Sequence, residues 1–98
     1  MGNMFARITK FKMKQSSVAE TKAMIEPMKD KIMGLPGVVQ FINTVNDDGS
    51  GCVISINESE AQSDANQEAV AAIWSHFADH LEGPPSAEGY EVFVNWSK

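Results

Sequence analysis

Trp74, His76 and His80 lie within seven residues of one another in "AAIWSHFADHLEGPP", residues 71–85. An indole can wall a pocket for a flat aromatic ligand. Imidazoles four residues apart on one helix can move a proton near neutral pH or hold a metal ion. On a helical repeat, Val70, Ile73, Phe77 and Leu81 fall within roughly one 60° sector and make the core stripe. Trp74 lies about 55° to one side of that stripe, His80 about 65° to the other, and His76 further toward solvent. The indole and the imidazoles therefore flank the core from opposite edges, and Trp74 is either a packed core residue or the wall of a cleft. His76 and His80 lack the glutamate of H-E-x-x-H, because Phe77 follows the first histidine, and no nearby Cys or His adds a third ligand. No metal site is expected.

The remaining polar candidates sit on strand-like segments. Asn43, Asn57 and Asn95 alternate within them, and an inward amide there must find a partner or a ligand carbonyl. Tyr90 can orient a polar ligand or pack with its hydroxyl in water. Arg7, Lys10, Lys12 and Lys14 form a basic N-terminal group able to meet an anion. Ser55 and Ser97 have no histidine base placed by a recognisable motif. Cys52 reads as a small buried apolar group, and "DDGSG" joins two strands and opens no helix, so it cradles no phosphate.

Six elements must position these residues. "MFARITKFKM", residues 4–13, reads as a strand. "SVAE", Ser17 to Glu20, has the spacing of a capping box and predicts one helix carrying Val18, Ile25, Met28 and Ile32, bent at Pro27 and stopped by "GLPG". "VVQFINTVN" and "GCVISINE" flank Asp48-Gly49, a hairpin signal. "SDANQEAVAAIWSHFADHLE" predicts a second helix capped by Ser63 or Asp64. "GYEVFVNW", residues 89–96, predicts a last strand with Tyr90, Val92, Val94 and Trp96 on one face and Phe93 on the other.

The order βαββαβ predicts an α+β, ferredoxin-like antiparallel sheet with two helices on one face, as a single domain over residues 1–98. Both alternating sets of strand residues are apolar, yet two helices cover one face only. A second copy packed sheet to sheet would cover the other, so a homodimer is expected.

The chain of 98 residues carries a net charge of −5, unevenly spread. Residues 1–46 hold seven Lys/Arg against Glu20, Glu26 and Asp30, whereas residues 47–98 hold ten acids against Lys98 alone. The halves should attract each other, and the acidic half would repel a nucleic-acid backbone. No apolar run is long enough for a membrane span, the N-terminus lacks the apolar stretch of a signal peptide, and the one cysteine allows no intrachain disulfide. A cytoplasmic protein with no nucleic-acid or membrane partner is expected.

The order of elements, the doubly apolar sheet, "LPGVVQFI" leading into the second strand and the tryptophan of the second helix resemble the antibiotic-biosynthesis-monooxygenase-like, dimeric α+β barrel proteins. "FIN…NDDGSG" and "WSHFADHLEGPP…GYEVFVNW" resemble a small bacterial branch. The resemblance spans nearly the whole chain. It implies a dimeric barrel with a cleft between sheet and helices, walled by a tryptophan where Trp74 stands. It also implies one of three activities: oxidation of polycyclic phenols without metal or flavin, haem degradation, or none. In the first, no cofactor is needed: Trp74 would wall the ring, His80 take a proton, and Arg7 or Asn43 meet the oxyanion, with Phe77, Tyr90 and His76 completing the site. The haem-degrading branch uses an asparagine on the first strand and a histidine on the second helix. His80 or His76 could stand for the histidine, but Met4 to Phe11 holds no asparagine. The alternative is a non-catalytic dimeric module that binds a small hydrophobic or aromatic ligand or serves a stress-related role.

Overall fold

A computed structural model describes residues 3–98. Four strands, β1 (Phe5–Lys12), β2 (Val38–Val45), β3 (Ser50–Asn57) and β4 (Ser86–Glu91), form one sheet in the order β2-β3-β1-β4, every neighbouring pair antiparallel. The helices α1 (Val18–Ile25), α2 (Lys29–Met33), α3 (Glu60–Ala65) and α4 (Gln67–Ser75) connect them. This is the expected α+β, ferredoxin-like arrangement. None of these helices is long and apolar enough to cross a membrane.

Asp48-Gly49 makes the β2–β3 turn. Gly49 has φ +95, a left-handed conformation that glycine adopts without steric penalty, and its amide donates to the Asn46 carbonyl at 2.9 Å. The Ser50 amide and hydroxyl both donate to the Asp48 carboxylate, at 2.9 and 2.7 Å, and hold it below its ordinary pKa.

Helix ends depart from expectation wherever a distant segment competes for the cap. Ser17 makes no capping bond: a 3₁₀ turn at Gln15–Ser17 already places it in the helical region, and its hydroxyl meets His80 Nδ1 at 2.9 Å. A capping serine needs extended backbone instead. At Pro27 the chain forms two short helices joined by a 3₁₀ turn (Glu26–Met28), not one bent helix. Proline falls early in that turn, where its missing amide leaves no bond unmade. The second helical run starts at Glu60, capped by Ser59, whose hydroxyl accepts from the Gln62 amide at 3.1 Å. It breaks at Asn66, whose amide side chain donates to the Pro36 carbonyl at 2.7 Å, and it ends at Ser75. Beyond it, a 3₁₀ turn (Ala78–His80) leads to an extended segment bridged along the end of β1, with Leu81 opposite Met13 and the Glu82 amide donating to the Lys12 carbonyl at 2.8 Å.

β4 covers Ser86–Glu91 and not 89–96. The reason is its neighbour: Glu91 pairs with Phe5, the first residue of β1, and the Val92 amide makes one further bond to the Met4 carbonyl at 2.9 Å. Past it Phe93 is 98% and Trp96 91% exposed.

Period-two alternation sorts the sheet residues by face. Phe5, Arg7, Thr9 and Phe11 of β1 and Val53, Ser55 and Asn57 of β3 look toward the helices. Ile8, Ile54 and Ile42, in register across β1, β3 and β2, occupy the other face, which no helix covers. Under the helices the core forms two groups, one of Phe11, Met13, Val18 and Val53, the other of Ile32, Ile73 and Phe77. The halves of opposite charge meet through the ion pairs Arg7–Asp64 and Lys12–Glu82.

Candidate functional site

Between the two core groups lies a cavity of about 980 Å³, floored by the sheet and roofed by α3 and α4. Strand register builds its floor in rows, Phe41–Ser55–Arg7 and Asn43–Val53–Thr9. The cavity is chemically divided along β1: Arg7 and Phe11 are four residues, or about 13 Å, apart on the same face of the strand.

The Arg7 end is polar. The Arg7 side chain is 22% exposed, and its Nη2 reaches Asp64 Oδ1 at 2.9 Å while Nε donates to Ser63 Oγ at 3.0 Å. Its guanidinium carbon stands 5.3 Å from the centroid of the Phe5 ring, a cation–π arrangement. Asn57, 3% exposed, donates from Nδ2 to the Ser55 hydroxyl and carbonyl, both at 3.3 Å. Gly89 makes room for this corner: a Cβ there would sit 2.4 Å from the Phe5 ring. The other end is apolar, with the rings of Phe11 and Trp74 5.6 Å apart and tilted by 55°, next to Val53 and Leu81.

Four of the seven residues singled out from the sequence line this cavity: Arg7, Asn43, Trp74 and Phe77. Trp74 is both packing and wall, since one part of the indole lies on the Phe11 cluster and another faces the open space. The other three lie elsewhere. Tyr90, paired with Ala6, sits on the uncovered face of the sheet, where its hydroxyl donates to Glu88 and that bond, with the carboxylate charge, raises its pKa. His76 is exposed at the C-terminal cap of α4. His80 is half-buried against Ser17 and does not line the cavity. The helical-wheel placement of both histidines rested on a helix that in fact stops at Ser75. Ser63 and Asn66, which line the roof, carried no sequence signal beyond capping propensity. Asn57, one of the alternating strand amides noted in the sequence, also lines the cavity, beside Ser55 on the same face of β3.

No known family profile matches this chain, and no curated protein matches it. Solved structures do. A protein of unknown function from Nitrosomonas europaea superposes with a TM-score of 0.81 at 16% identity, covering 98% of this chain and 95% of that one. A candidate antibiotic biosynthesis monooxygenase from the same organism gives 0.77 at 18% identity, covering 94% and 92%. A heme-degrader from Mycobacterium tuberculosis, solved with two hemes bound in its active site, gives 0.74 at 18%, covering 95% and 99%. The likeness is one of fold: this chain has the fold of the antibiotic-biosynthesis-monooxygenase-like proteins, as its sequence resemblance implied. Haem fits the residues of the cavity poorly, because neither of the chain's two histidines lines it to serve as an axial ligand.

Proposed function

We propose that the cavity binds a small aromatic or polycyclic phenol or enol and supports monooxygenase-like oxidation of it by dioxygen, without a cofactor of the protein's own. The observation that carries this reading is the division of one large cavity into a cationic hydrogen-bonding end at Arg7 and an aromatic end at Phe11 and Trp74. Such a site suits a flat apolar ring with one oxyanion. Arg7 and the Ser55–Asn57 pair stabilise the anion, which makes the ring electron-rich enough to reduce dioxygen, and the apolar walls orient it and keep water out. A homodimer formed through the face bearing Ile8, Ile42 and Ile54 belongs to the same reading, since Ile42 is 42% exposed there. Light scattering should then give about 21 kDa, twice the 10.7 kDa chain.

One observation favours a second reading, a ligand-binding module without catalysis: the imidazole expected to take the substrate's proton, His80, is turned to Ser17. A Trp96→Phe variant, leaving Trp74 as the sole tryptophan, separates the two when titrated with hydroxynaphthalenes and hydroxyanthracenes while oxygen uptake is followed. Saturable quenching with oxygen uptake supports the monooxygenase-like chemistry. Quenching without uptake leaves the binding module, and no saturable quenching removes both.

A further inference from the structure

Met13 is the one methionine among the described residues that lines the cavity. It follows β1 on the strand face that looks toward the helices, two residues and about 7 Å beyond Phe11. Its side chain packs with Phe11, Val18 and Val53, and Trp74 and Leu81 lie against the same group, so the thioether belongs to the aromatic end. Met13 is 8% exposed, against 40% for Met33 on the surface. A buried methionine that only fills space needs no polar neighbour. Met13 has one: the hydroxyl of Thr21, a buried residue that also lines the cavity, donates to its Sδ at 3.0 Å. The same hydroxyl reaches the Ser17 and Val18 carbonyls at 2.9 and 3.1 Å. Its single proton can therefore turn between helix backbone and sulfur by rotation of the O–H alone.

We infer that Met13 is an oxidation site served by the cavity, taking an oxygen atom from an aromatic hydroperoxide bound against Phe11 and Trp74. The inference rests on the ring-binding half of the preceding proposal and not on turnover of a phenol. The sulfur donates a lone pair to the outer peroxide oxygen, and the O–O bond breaks. Sulfur is oxidised to the sulfoxide, and the hydroperoxide is reduced to its alcohol. The proton of the transferred hydroxyl passes through Thr21 Oγ1 to the departing alkoxide. Thr21 then donates to the sulfoxide oxygen, a stronger acceptor than a thioether. A polar oxygen now stands in the apolar end, and a ring lying on Phe11 and Trp74 loses its seat. Addition of dioxygen to an electron-rich ring yields a hydroperoxide, so the cavity would be closed by the class of oxidant formed within it.

The full-length protein is treated with limiting cumene hydroperoxide, and sulfoxide at each methionine is read by peptide mass spectrometry. The expected result is Met13 oxidised at least fivefold faster than Met33, the reverse of their exposure, whereas hydrogen peroxide attacks Met33 first. N-phenylnaphthylamine should protect Met13 and leave Met33 unchanged. Thr21→Val should slow Met13 oxidation at least fivefold and Thr21→Ser should restore it, with Met33 the same in both. Once oxidised, the protein should bind N-phenylnaphthylamine at least tenfold more weakly, while a Met13→Leu variant binds it equally before and after treatment. Faster oxidation of Met33 by cumene hydroperoxide overturns the site, and so does unchanged probe binding after Met13 is oxidised. Equal Met13 rates in Thr21→Val and the unmodified chain overturn the part given to the hydroxyl. An untreated protein that does not bind N-phenylnaphthylamine overturns ring binding itself, and with it the reading beneath this inference.

Discussion

Replacing Arg7 by methionine keeps an unbranched apolar stem on the cavity floor and removes only the guanidinium. Three interactions go with it. The Arg7–Asp64 ion pair is close, 2.9 Å, but the Asp64 side chain is 56% exposed, so solvent screening reduces its contribution to about 0.5 kcal/mol. Ser63, 6% exposed, loses its donor, which costs about 1 kcal/mol. The cation–π contact with Phe5 contributes about 0.5 kcal/mol. Together these amount to about 2 kcal/mol, and at about 4–8 °C per kcal/mol for a domain of this size the melting temperature should fall by about 8–16 °C. Binding should respond selectively. Anilinonaphthalene sulfonate and neutral N-phenylnaphthylamine share one ring system, and only the first offers an anion to Arg7. Losing a charge-assisted hydrogen bond costs about 1.5–3 kcal/mol, so fluorescence titration of the folded variant should show about 10- to 150-fold weaker sulfonate binding with the neutral probe little changed. Equal losses for both probes would mean that Arg7 shapes the cavity and does not read charge, and the division into cationic and aromatic ends would fail as an account of recognition.

Tyr90 is the chain's only tyrosine, so its ionisation can be followed by ultraviolet absorbance without overlap from another phenol. Its hydrogen bond to Glu88 raises its pKa, so the stabilisation it brings is present at and below the ordinary tyrosine pKa and is lost as pH rises through the higher folded value. Glu88→Gln should move the titration back down, and an unchanged curve would refute the contact. Gly89→Ala places a methyl 2.4 Å from the Phe5 ring; overpacking of this kind should destabilise by about 1–3 kcal/mol in denaturant unfolding. His80→Ala should leave anilinonaphthalene sulfonate affinity within twofold, because His80 does not line the cavity, and a tenfold loss would return it to the site.

The fold was legible where local chemistry decides the outcome. Strand alternation and Asp48-Gly49 mark β1, β2, the hairpin and β3 without tertiary help, and the order of elements then leaves little choice of topology. Element ends were less legible because distant partners set them. Ser17 yields its hydroxyl to His80 and leaves the cap unmade; α4 stops at Ser75, ahead of a 3₁₀ turn that leads residues 80–82 along the end of β1; β4 stops because β1 begins at Phe5. The same cause decides which candidates reach the cavity. Arg7, Asn43 and Trp74 lie inside regular elements whose periodicity carries their direction, and Phe77, two residues past α4, is still buried on the core side. His76 and His80 follow a helix end that periodicity could not foresee, and Tyr90 needed the pairing with Ala6 to show its face.

The two apolar groups beneath the helices are held apart by the cavity, and no large side chain among the described residues is fully buried. A molecule filling that space would serve as a missing piece of the hydrophobic interior, so folding and binding would share one equilibrium. A ligand at a hundred times its dissociation constant adds about 2.7 kcal/mol to the folded state, or about 10–20 °C in melting temperature for a chain of this length. The thermal transition is therefore a detector: screened against aromatic anions, the unmodified protein would report its own ligand as the compound that lets it survive heating.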